Sequence, residues 1–244
     1  MSVFLYNNHR EYKSLHFKEI DSTNTYLKEN HLSLDNFTFV SADYQNQGKG
    51  RNDRQWLSNK GENLMFSFLI KEKSLIDIAP LLSLLTACEV AKLLEQKKIK
   101  NVSIKWPNDV LVNDQKICGI LLEGQLPNYV VVGVGLNVNQ KEFPSNLRRE
   151  ATSISNELGK EVSILELKET LFLNITQSFN NVDKEQYLFY LNKHNYLLDK
   201  KVCVIINQQN IMGKVVGIDS DFNLQIKTDS GLLSVNSGEI EILR

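Results

Sequence analysis

Short apolar runs separated by polar turns predict strands through the first part of the chain. The runs at 62–70 and 129–138 are almost continuously apolar, which is typical of strands buried on both faces. The shorter runs at 15–20 and 37–42 predict two further strands, and the first of them ends in a polar turn.

Helical spacing of apolar residues predicts three longer helices. Pro80 begins the first, whose end is marked by a lysine-rich segment that suits the helix dipole. Ser163 and Glu166 form a capping box at the start of the second, which reaches Phe179. The third spans 183–193. We assign the first of these helices to core packing and give it no chemistry.

The segment 104–123 predicts a buried hairpin. Its apolar runs at 110–112 and 117–122 are separated by the Asn-Asp-Gln sequence at 113–115, and Asn and Asp tolerate the backbone of a tight reversal.

Two lysines and a glycine interrupt this hairpin. Lys105 precedes Trp106, Lys116 opens the return strand, and Gly119 lies inside that strand. A glycine within a strand often marks a bulge or a close approach by a ligand. The combination indicates an anion lying along the sheet, with an ordinary surface hairpin carrying solvated lysines as the alternative.

A loop at 44–56 combines backbone freedom with positive charge. Its glycines and cations are Gly48, Lys49, Gly50, Arg51 and Arg54. Such a loop could wrap phosphates, because arginine offers bidentate contacts and lysine a point charge. It lacks the arrangement of a Walker phosphate loop, and a flexible basic turn remains the alternative.

Two further stretches carry candidate polar groups. Ser22 or Thr23 can cap a helix, and such a helix start is also a site for a carboxylate or amide ligand, although capping alone would explain both hydroxyls. Gly133 and Gly135 lie in the strand at 129–138 and admit something close to the backbone, or merely relieve crowding; Asn137 is a polar group at its end. A dinucleotide fingerprint would need glycine at 138, where this chain has valine.

From residue 200 the pattern changes to short strands separated by turns. Strands are predicted at 202–206, 211–218, 224–227, 232–235 and 240–243. Their spacing indicates a small SH3-like β-barrel. We therefore expect two domains, 1–198 and 199–244.

The composition of the chain argues against several classes of function. The 244 residues carry 28 basic and 29 acidic side chains, so no global field attracts nucleic acid or an anionic membrane. Three separated cysteines and four histidines show no metal-ligand spacing. With no apolar signal segment and no span long and apolar enough for a bilayer, we expect a cytoplasmic protein that does not bind membranes.

The motifs occur in an order that resembles the biotin–protein ligases. They are Gly48-Lys49-Gly50-Arg51-x-x-Arg54-x-Trp56, Lys105-Trp106-Pro107-Asn108-Asp109, Lys116-Ile117-x-Gly119 and Gly133-x-Gly135-x-Asn137. Each motif alone is modest, whereas their order over essentially the whole chain is specific. The resemblance implies an α+β fold with a mixed, mostly antiparallel sheet and packed helices, followed by the C-terminal barrel.

The resemblance also implies an activity and its substrates. Biotin and ATP, with Mg²⁺, would give biotinyl-5′-adenylate, and a lysine of a biotin carboxyl carrier protein would then attack it. Residues 1–16 are too few for a DNA-binding domain, so we expect the monofunctional form without DNA binding. A homodimer is plausible.

Site roles follow from the resemblance, residue by residue. The residues implied for biotin are Ser22, Thr23, Asn24, Gln45, Gly48, Gly50, Lys116 and Gly119. Those implied for ATP or the adenylate are Lys49, Arg51, Arg54, Trp56, Lys105, Asn108 and Asn137. Catalysis is assigned to Arg51, Lys116, Lys49 and Lys105, and Mg²⁺ to Asp109.

The sequence departs from the family pattern at one position, and two other functions are alternatives to a biotin–protein ligase. Lys49 stands where the family commonly has arginine, so the planar fork is lost and adenylate retention is expected to differ. A lipoate–protein ligase or octanoyltransferase shares the implied fold, and a non-catalytic biotinyl-adenylate-binding module would share the pocket.

Overall fold

The computed structural model describes residues 2–7, 10–52, 54–206 and 209–243. A large sheet forms the centre of the protein. Its strands are β1 (Ser2–Asn7), β2 (Arg10–Phe17), β3 (Phe39–Ala42), β4 (Asn63–Ile70), β5 (Val102–Lys105), β6 (Asp109–Val112), β7 (Gln115–Gln125) and β8 (Tyr129–Asn137). The order is β1-β2-β3-β4-β8-β7-β6-β5, and only the β2–β3 pair is parallel within these described strands. The predicted mixed, mostly antiparallel sheet is confirmed.

Helices cover both faces of this sheet. They are α1 (Thr23–Asn30), α2 (Lys73–Ile76), α3 (Ala79–Gln96), α4 (Ile154–Leu158), α5 (Ile164–Asn180) and α6 (Lys184–Lys193). The central strand β4 is buried along its whole length, because Phe66 and Phe68 face the large core with α3 and α5 whereas Leu69 packs with Leu27 of α1 on the opposite face. A strand sandwiched in this way reads as the continuous apolar run seen in the sequence.

Local sequence signals account for the element ends. Ser22, Ser163 and Asp183 each accept a backbone N–H as the N-cap of α1, α5 and α6. Asn113 and Asp114 connect β6 to β7 with φ values of 49° and 66°, the left-handed backbone that a two-residue hairpin requires.

Some predicted strands differ in length from the observed ones, and four elements were not predicted. The strand expected at 15–20 is β2, which begins at Arg10 because it pairs with β1, and which ends at Phe17. Gln115 belongs to β7 rather than to the turn. The elements β1, β5, α2 and α4 were not predicted, since each is short or depends on a pairing partner distant in sequence.

The C-terminal strands form a second, antiparallel sheet. They are β9 (Lys201–Ile206), β10 (Gln209–Ile218), β11 (Leu224–Thr228), β12 (Gly231–Val235) and β13 (Glu239–Ile242). Pairing follows the order β12-β11-β10-β9-β13, and no pairing of β12 with β13 closes the sheet within 201–206 and 209–243. The predicted strands are thus present, but the expected barrel is an open sheet in the described residues.

The second sheet packs against the first through one continuous hydrophobic core. Val204, Val215 and Ile226 belong to the same cluster as the buried residues of α3 and β8. The Trp106 indole donates a hydrogen bond of 3.1 Å to the carbonyl of Phe222. Among the helices that the structure describes, none is both long and apolar enough to cross a membrane.

Candidate functional site

A cavity opens on the face of the large sheet that carries α1. Side chains alternate along β8, so Val132 and Val134 point to the core while Gly133 and Gly135 face the helix side. Gly119 of β7 pairs with Gly135 and lies on the same face. Missing side chains on two adjacent strands therefore leave a depression in the sheet.

Residues from the sequence motifs meet around this depression. The predicted site residues that line it are Ser22, Thr23, Asn24, Gln45, Lys49, Gly50, Arg51, Trp56, Asn108, Lys116 and Gly119. The other lining residues are Phe66, Ser67, Ile120, Leu121, Gly133, Val134 and Gly135. Arg51 and Lys116, which come from distant segments, thus face one cavity.

A bulge in the hairpin turns Lys116 into the cavity. Val110 pairs with Cys118 but Leu111 pairs with Lys116, so Ile117 is an extra residue in β7. Ile117 and Cys118 are consequently both fully buried in the core, and Lys116 is directed to the opposite face. This re-aiming explains how a lysine beside a core strand reaches the same side as Gly119.

Lys116 makes two contacts within the site. Its Nζ lies 2.7 Å from Oδ1 of Asp109, and 5.8 Å from the centre of the Trp56 ring. Both carboxylate and lysine are mostly buried, with side-chain exposures of 19% and 29%. Asp109 therefore already has a cationic partner.

Trp56 fills most of the space above the glycines. A Cβ at position 135 would lie 2.5 Å from Cε2 of the indole, and one at position 119 would lie 3.3 Å from Cζ3. The Trp56 Nε1 is buried without a hydrogen-bond partner in the described part of the chain. The remaining cavity of about 60 Å³ holds only a few waters.

Backbone hydrogen bonds shape the basic loop that carries Trp56. The N–H of Trp56 donates to the carbonyl of Gly48 (2.9 Å), and the N–H of Gly50 donates to the carbonyl of Arg54 (2.7 Å). A Cβ at position 48 would lie 2.7 Å from the Trp56 carbonyl oxygen, so the close approach of the two arms requires glycine there.

The N-terminus of α1 supplies a polar end to the cavity. The Thr23 N–H and hydroxyl lie 2.7 and 3.0 Å from Gln45 Oε1. Thr23 Oγ1 is also 2.6 Å from Ser67 Oγ, and Ser67 is 2.5 Å from Asn24 Oδ1. Ser67 was not predicted, although a hydroxyl inside an apolar strand is a signal that could have identified it.

Arg51 closes the opposite end of the cavity. Its guanidinium donates to Asn108 Oδ1 (3.1 Å) and to the carbonyl of Gly238 in the C-terminal sheet (3.2 Å). The Asn108 amide in turn donates to the carbonyl of Ile120 (2.9 Å). The basic loop, the first sheet and the second sheet thus meet at this arginine.

Five predicted site residues do not line the cavity: Gly48, Arg54, Lys105, Asp109 and Asn137. Gly48 supports the loop, and Arg54 is exposed. Asn137 is buried and donates to the carbonyl of Thr152 (2.9 Å), which holds the segment after β8 against β7.

Lys105 lies beside the cavity in a cationic environment. Burial, together with the charges of Arg149, Arg148 and Lys116, lowers the pKa of Lys105 from 10.5 to about 8, against the opposing effect of Asp109. Strongly shifted pKa values of this kind are concentrated at functional sites. Among the described side chains, no group of three histidine, cysteine or acidic residues is arranged to hold a metal.

The chain matches known protein families and known structures over most of its length. Residues 16–137 match the Biotin/lipoate A/B protein ligase family, and residues 197–243 match the Biotin protein ligase C terminal domain. The structure superimposes on the biotin protein ligase from Aquifex aeolicus in complex with biotin and ATP with a TM-score of 0.84, at 30% identity, covering 95% of this chain and 98% of that one.

Sequence relatives agree with the structural match. The bifunctional ligase/repressor BirA of Bacillus subtilis is 30% identical over 214 residues, which span 84% of this chain and 66% of BirA. The biotin–[acetyl-CoA-carboxylase] ligase of Paracoccus denitrificans is 35% identical over 128 residues, 51% of this chain and 53% of that protein.

The chain therefore belongs to the biotin/lipoate protein ligase family. The narrower prediction from the ordered motifs, a biotin–protein ligase, is confirmed by the C-terminal match together with these relatives.

Proposed function

We propose that this protein activates biotin with ATP and transfers it to a lysine of a carrier protein. In the first step a carboxylate oxygen of biotin attacks the α-phosphorus of ATP and pyrophosphate leaves. In the second, the lysine amine attacks the carbonyl carbon of the adenylate, and AMP leaves. The observation that carries this proposal is that three cations, Arg51, Lys49 and Lys116, line one glycine-lined cavity. The polar end of that cavity, formed by Ser22, Thr23 and Gln45, is its floor.

The floor suits the ureido group of biotin. Ser22, Thr23 and Gln45 supply hydroxyl and amide groups at the buried end of the cavity, where a cyclic urea offers matching donors and an acceptor. Asn24 supports them from behind, and Gly119 leaves space for the ring system.

The cations suit the carboxyl–phosphate end of the reaction. Attack by a carboxylate on a phosphate brings two anions together, so the repulsion must be screened and the reactants aligned. Asp109 holds Lys116 in the cavity, and the basic loop brings Arg51 and Lys49 to the same cavity. Gly50 gives that loop its backbone freedom. No enzyme nucleophile is needed for either step.

The nucleotide would extend past this point. Lys105, Arg54, Asn108 and Asn137 are proposed to position it directly or by supporting the strands around it. Trp56 must leave the space above Gly135 for the adenylate to enter, and would then cover it against water.

Mg²⁺ fits this site best as a companion of the nucleotide. Magnesium is commonly bound through one or two carboxylates and substrate phosphates. Asp109 is already paired with Lys116, and the described residues offer no cluster of three ligands. If Asp109 contributes a contact, it would help to hold the ion, and the ion would supply the positive charge that offsets the phosphates.

The remaining features of the proposal concern context. The acceptor is proposed to be the biotin-accepting domain of a carboxylase, in keeping with the name of the Paracoccus relative. We also propose a cytoplasmic location, a division into domains near residue 198, and no DNA binding. A homodimer stays a prediction.

The test is biotin-dependent release of pyrophosphate from ATP, followed by labelling of a purified carrier domain. Release and labelling with biotin but not with lipoate support the proposal. Activity with lipoate alone would indicate the lipoate ligase alternative. Tight binding of synthetic biotinyl-adenylate without any pyrophosphate release would indicate the non-catalytic module.

A further inference from the structure

A chain of buried polar groups leads from an ion pair to the floor of the cavity. Lys28 of α1 pairs with Glu123 Oε1 of β7. The second oxygen of Glu123 accepts a 2.8 Å hydrogen bond from Asn24 Nδ2. Asn24 then contacts Ser67, and Ser67 contacts Thr23. Neither the ion pair nor Ser67 belongs to the sequence motifs.

The carboxylate fixes the orientation of the Asn24 amide. An ionised carboxylate can only accept hydrogen bonds, so Asn24 must present its NH₂ to Glu123 and its carbonyl oxygen to Ser67. Burial opposes ionisation of Glu123, but hydrogen bonds from Lys28 and Asn24 and the charges of Lys28 and Lys49 outweigh it, so its pKa lies below the usual value. The amide is also pressed against Gly133, where a Cβ would lie 2.2 Å from Oδ1.

The amide in turn sets the direction of the two hydroxyl protons. Because Asn24 offers Ser67 an oxygen, the Ser67 hydroxyl donates its single proton there. At 2.6 Å from Ser67, Thr23 must then supply the proton between the two oxygens, since otherwise two lone pairs would face each other. The Thr23 hydroxyl also lies within hydrogen-bonding distance of Gln45 Oε1, at 3.0 Å, but its single proton serves the shorter contact to Ser67.

The result is a pair of acceptors at the floor of the cavity. Gln45 Oε1 accepts from the backbone N–H of Thr23 at 2.7 Å, and the Thr23 hydroxyl, 3.0 Å away, can donate to Gln45 only by giving up its proton to Ser67. A donor that approaches both oxygens from the cavity would satisfy them together. A ligand N–H would supply it.

We propose that Glu123, with Lys28 as its counter-charge, is a positioning residue that makes the floor of the cavity select a ligand N–H. The inference rests on the proposed function: a ureido N–H of biotin satisfies the acceptor pair, whereas the dithiolane ring of lipoate has no N–H to offer. Glu123 acts through Asn24 and Ser67 and does not itself touch the ligand.

Two variants that break the same ion pair separate this role from a purely structural one. Glu123→Gln can present an NH₂ to Asn24, which permits the amide to turn and the hydroxyl protons to reverse. Lys28→Gln leaves the accept-only carboxylate in place. At pH 8, we expect Glu123→Gln to raise the Kd for biotin about tenfold, the cost of one mismatched buried hydrogen bond. The Kd of Lys28→Gln should change by less than about twofold, and the KM for ATP in both variants should hardly change.

A double-mutant cycle tests the route through Thr23. Thr23→Val removes the hydroxyl, so adding Glu123→Gln to it should cause little further loss of biotin affinity. Ser67→Ala interrupts the same route without disturbing the ion pair, and serves if Glu123→Gln does not fold. It should weaken biotin binding, again with little further effect in the Thr23→Val background.

Calorimetric Kd values for biotin decide between the outcomes. Equal losses in Glu123→Gln and Lys28→Gln, or fully additive losses with Thr23→Val, would show that the ion pair only supports the fold. Unchanged affinity in both Glu123→Gln and Ser67→Ala would overturn the inference while leaving the proposed function intact. If the unaltered protein itself fails to bind biotin, the proposed function is wrong and the inference falls with it.

Discussion

Lys105 provides a quantitative prediction because the fold holds it in an unfavourable charge state. It lies at the end of β5, half-buried, beside other cations. Burial is the largest cause of its lowered pKa, followed by the charge of Arg149. Replacing Lys105 with methionine removes the charge and keeps a similar apolar chain, so the substitution should stabilise the unliganded protein.

The magnitude follows from the two pKa values. The difference between 10.5 and about 8 corresponds to about 3 kcal/mol at ~1.36 kcal/mol per pKa unit. Because the side chain keeps some contact with solvent, which screens the charges, we expect a gain of about 1–3 kcal/mol. For a chain of this size such a gain raises Tm by roughly 2–10 °C.

The contribution of Lys105 to stability changes with pH in the opposite direction to that of a salt-bridged lysine. Below pH 8 Lys105 is protonated in both folded and unfolded states, and the folded state bears the full penalty. Between about pH 8 and 10.5 the folded protein loses this proton while the unfolded chain still binds it, so the penalty is relieved as the pH rises. The advantage of Lys105→Met should therefore be largest at pH 7 and vanish near pH 10.5.

The assay is thermal unfolding of both proteins from pH 6.5 to 10.5, with Lys60→Met as the control. Lys60 is exposed, and its ion pair with Glu19 spans 3.4 Å, so its loss should change stability by no more than ~0.5 kcal/mol. Pyrophosphate, an anion matched to the cations, should stabilise the unaltered protein more than Lys105→Met. A Lys105→Met protein that is less stable at pH 7, or equally shifted at every pH, would refute the reasoning.

Three further predictions concern the loop, the strand glycines and the thiols. In Arg51→Ala, the rate of biotin-dependent pyrophosphate release should fall at least ~100-fold. The Tm should stay close to that of the unaltered protein, because the contacts of Arg51 lie at the rim of the cavity. A variant that melts far lower would contradict this. Gly133→Ala should push the Asn24 amide away, raise the Kd for biotin and destabilise by about 1–3 kcal/mol, which urea unfolding measures; unchanged biotin affinity would oppose it. Burial raises the pKa of the Cys88 and Cys118 thiols, so mapped thiol labelling at pH 8 should leave both unmodified until the protein unfolds, and rapid native labelling would count against the buried assignment.

Local signals in the sequence were sufficient for most helices and for the hairpin. Ser163 and Asp183 mark helix starts because a side-chain oxygen there satisfies backbone N–H groups within the same short segment. Asn113 and Asp114 fix the hairpin for a similarly local reason. The apolar run of β4 was equally readable, since burial on both faces leaves no alternation to misinterpret.

The elements that were missed depend on distant partners. Strand β5 pairs with β6 and is joined to the segment after α6 through Ile104 and Asn195. Its four residues carry too little pattern to identify a strand alone. The closure of the C-terminal barrel was inferred from strand spacing, but spacing does not determine whether the first and last strands of a sheet meet.

The candidate site shows the same division between local composition and distant geometry. The sequence indicates that Lys116 and Gly119 are unusual in a buried strand, yet not that a bulge turns the lysine onto the glycine face. It indicates two glycines in β8, yet not that a tryptophan from the basic loop occupies the space above Gly135. The indole occupies the space that the proposed ligand would need.

That occupation has an energetic consequence for binding. Trp56 covers apolar strand surface but leaves its Nε1 without a hydrogen bond in the described part of the chain, and an unsatisfied buried donor costs on the order of 1–3 kcal/mol. The indole is therefore held in the cavity less firmly than its buried area alone implies. A ligand that fills the glycine depression replaces the apolar contacts and releases this donor to a new partner. Displacement of Trp56 would then be coupled to binding, and Gly135 is required because a side chain there would collide with the indole.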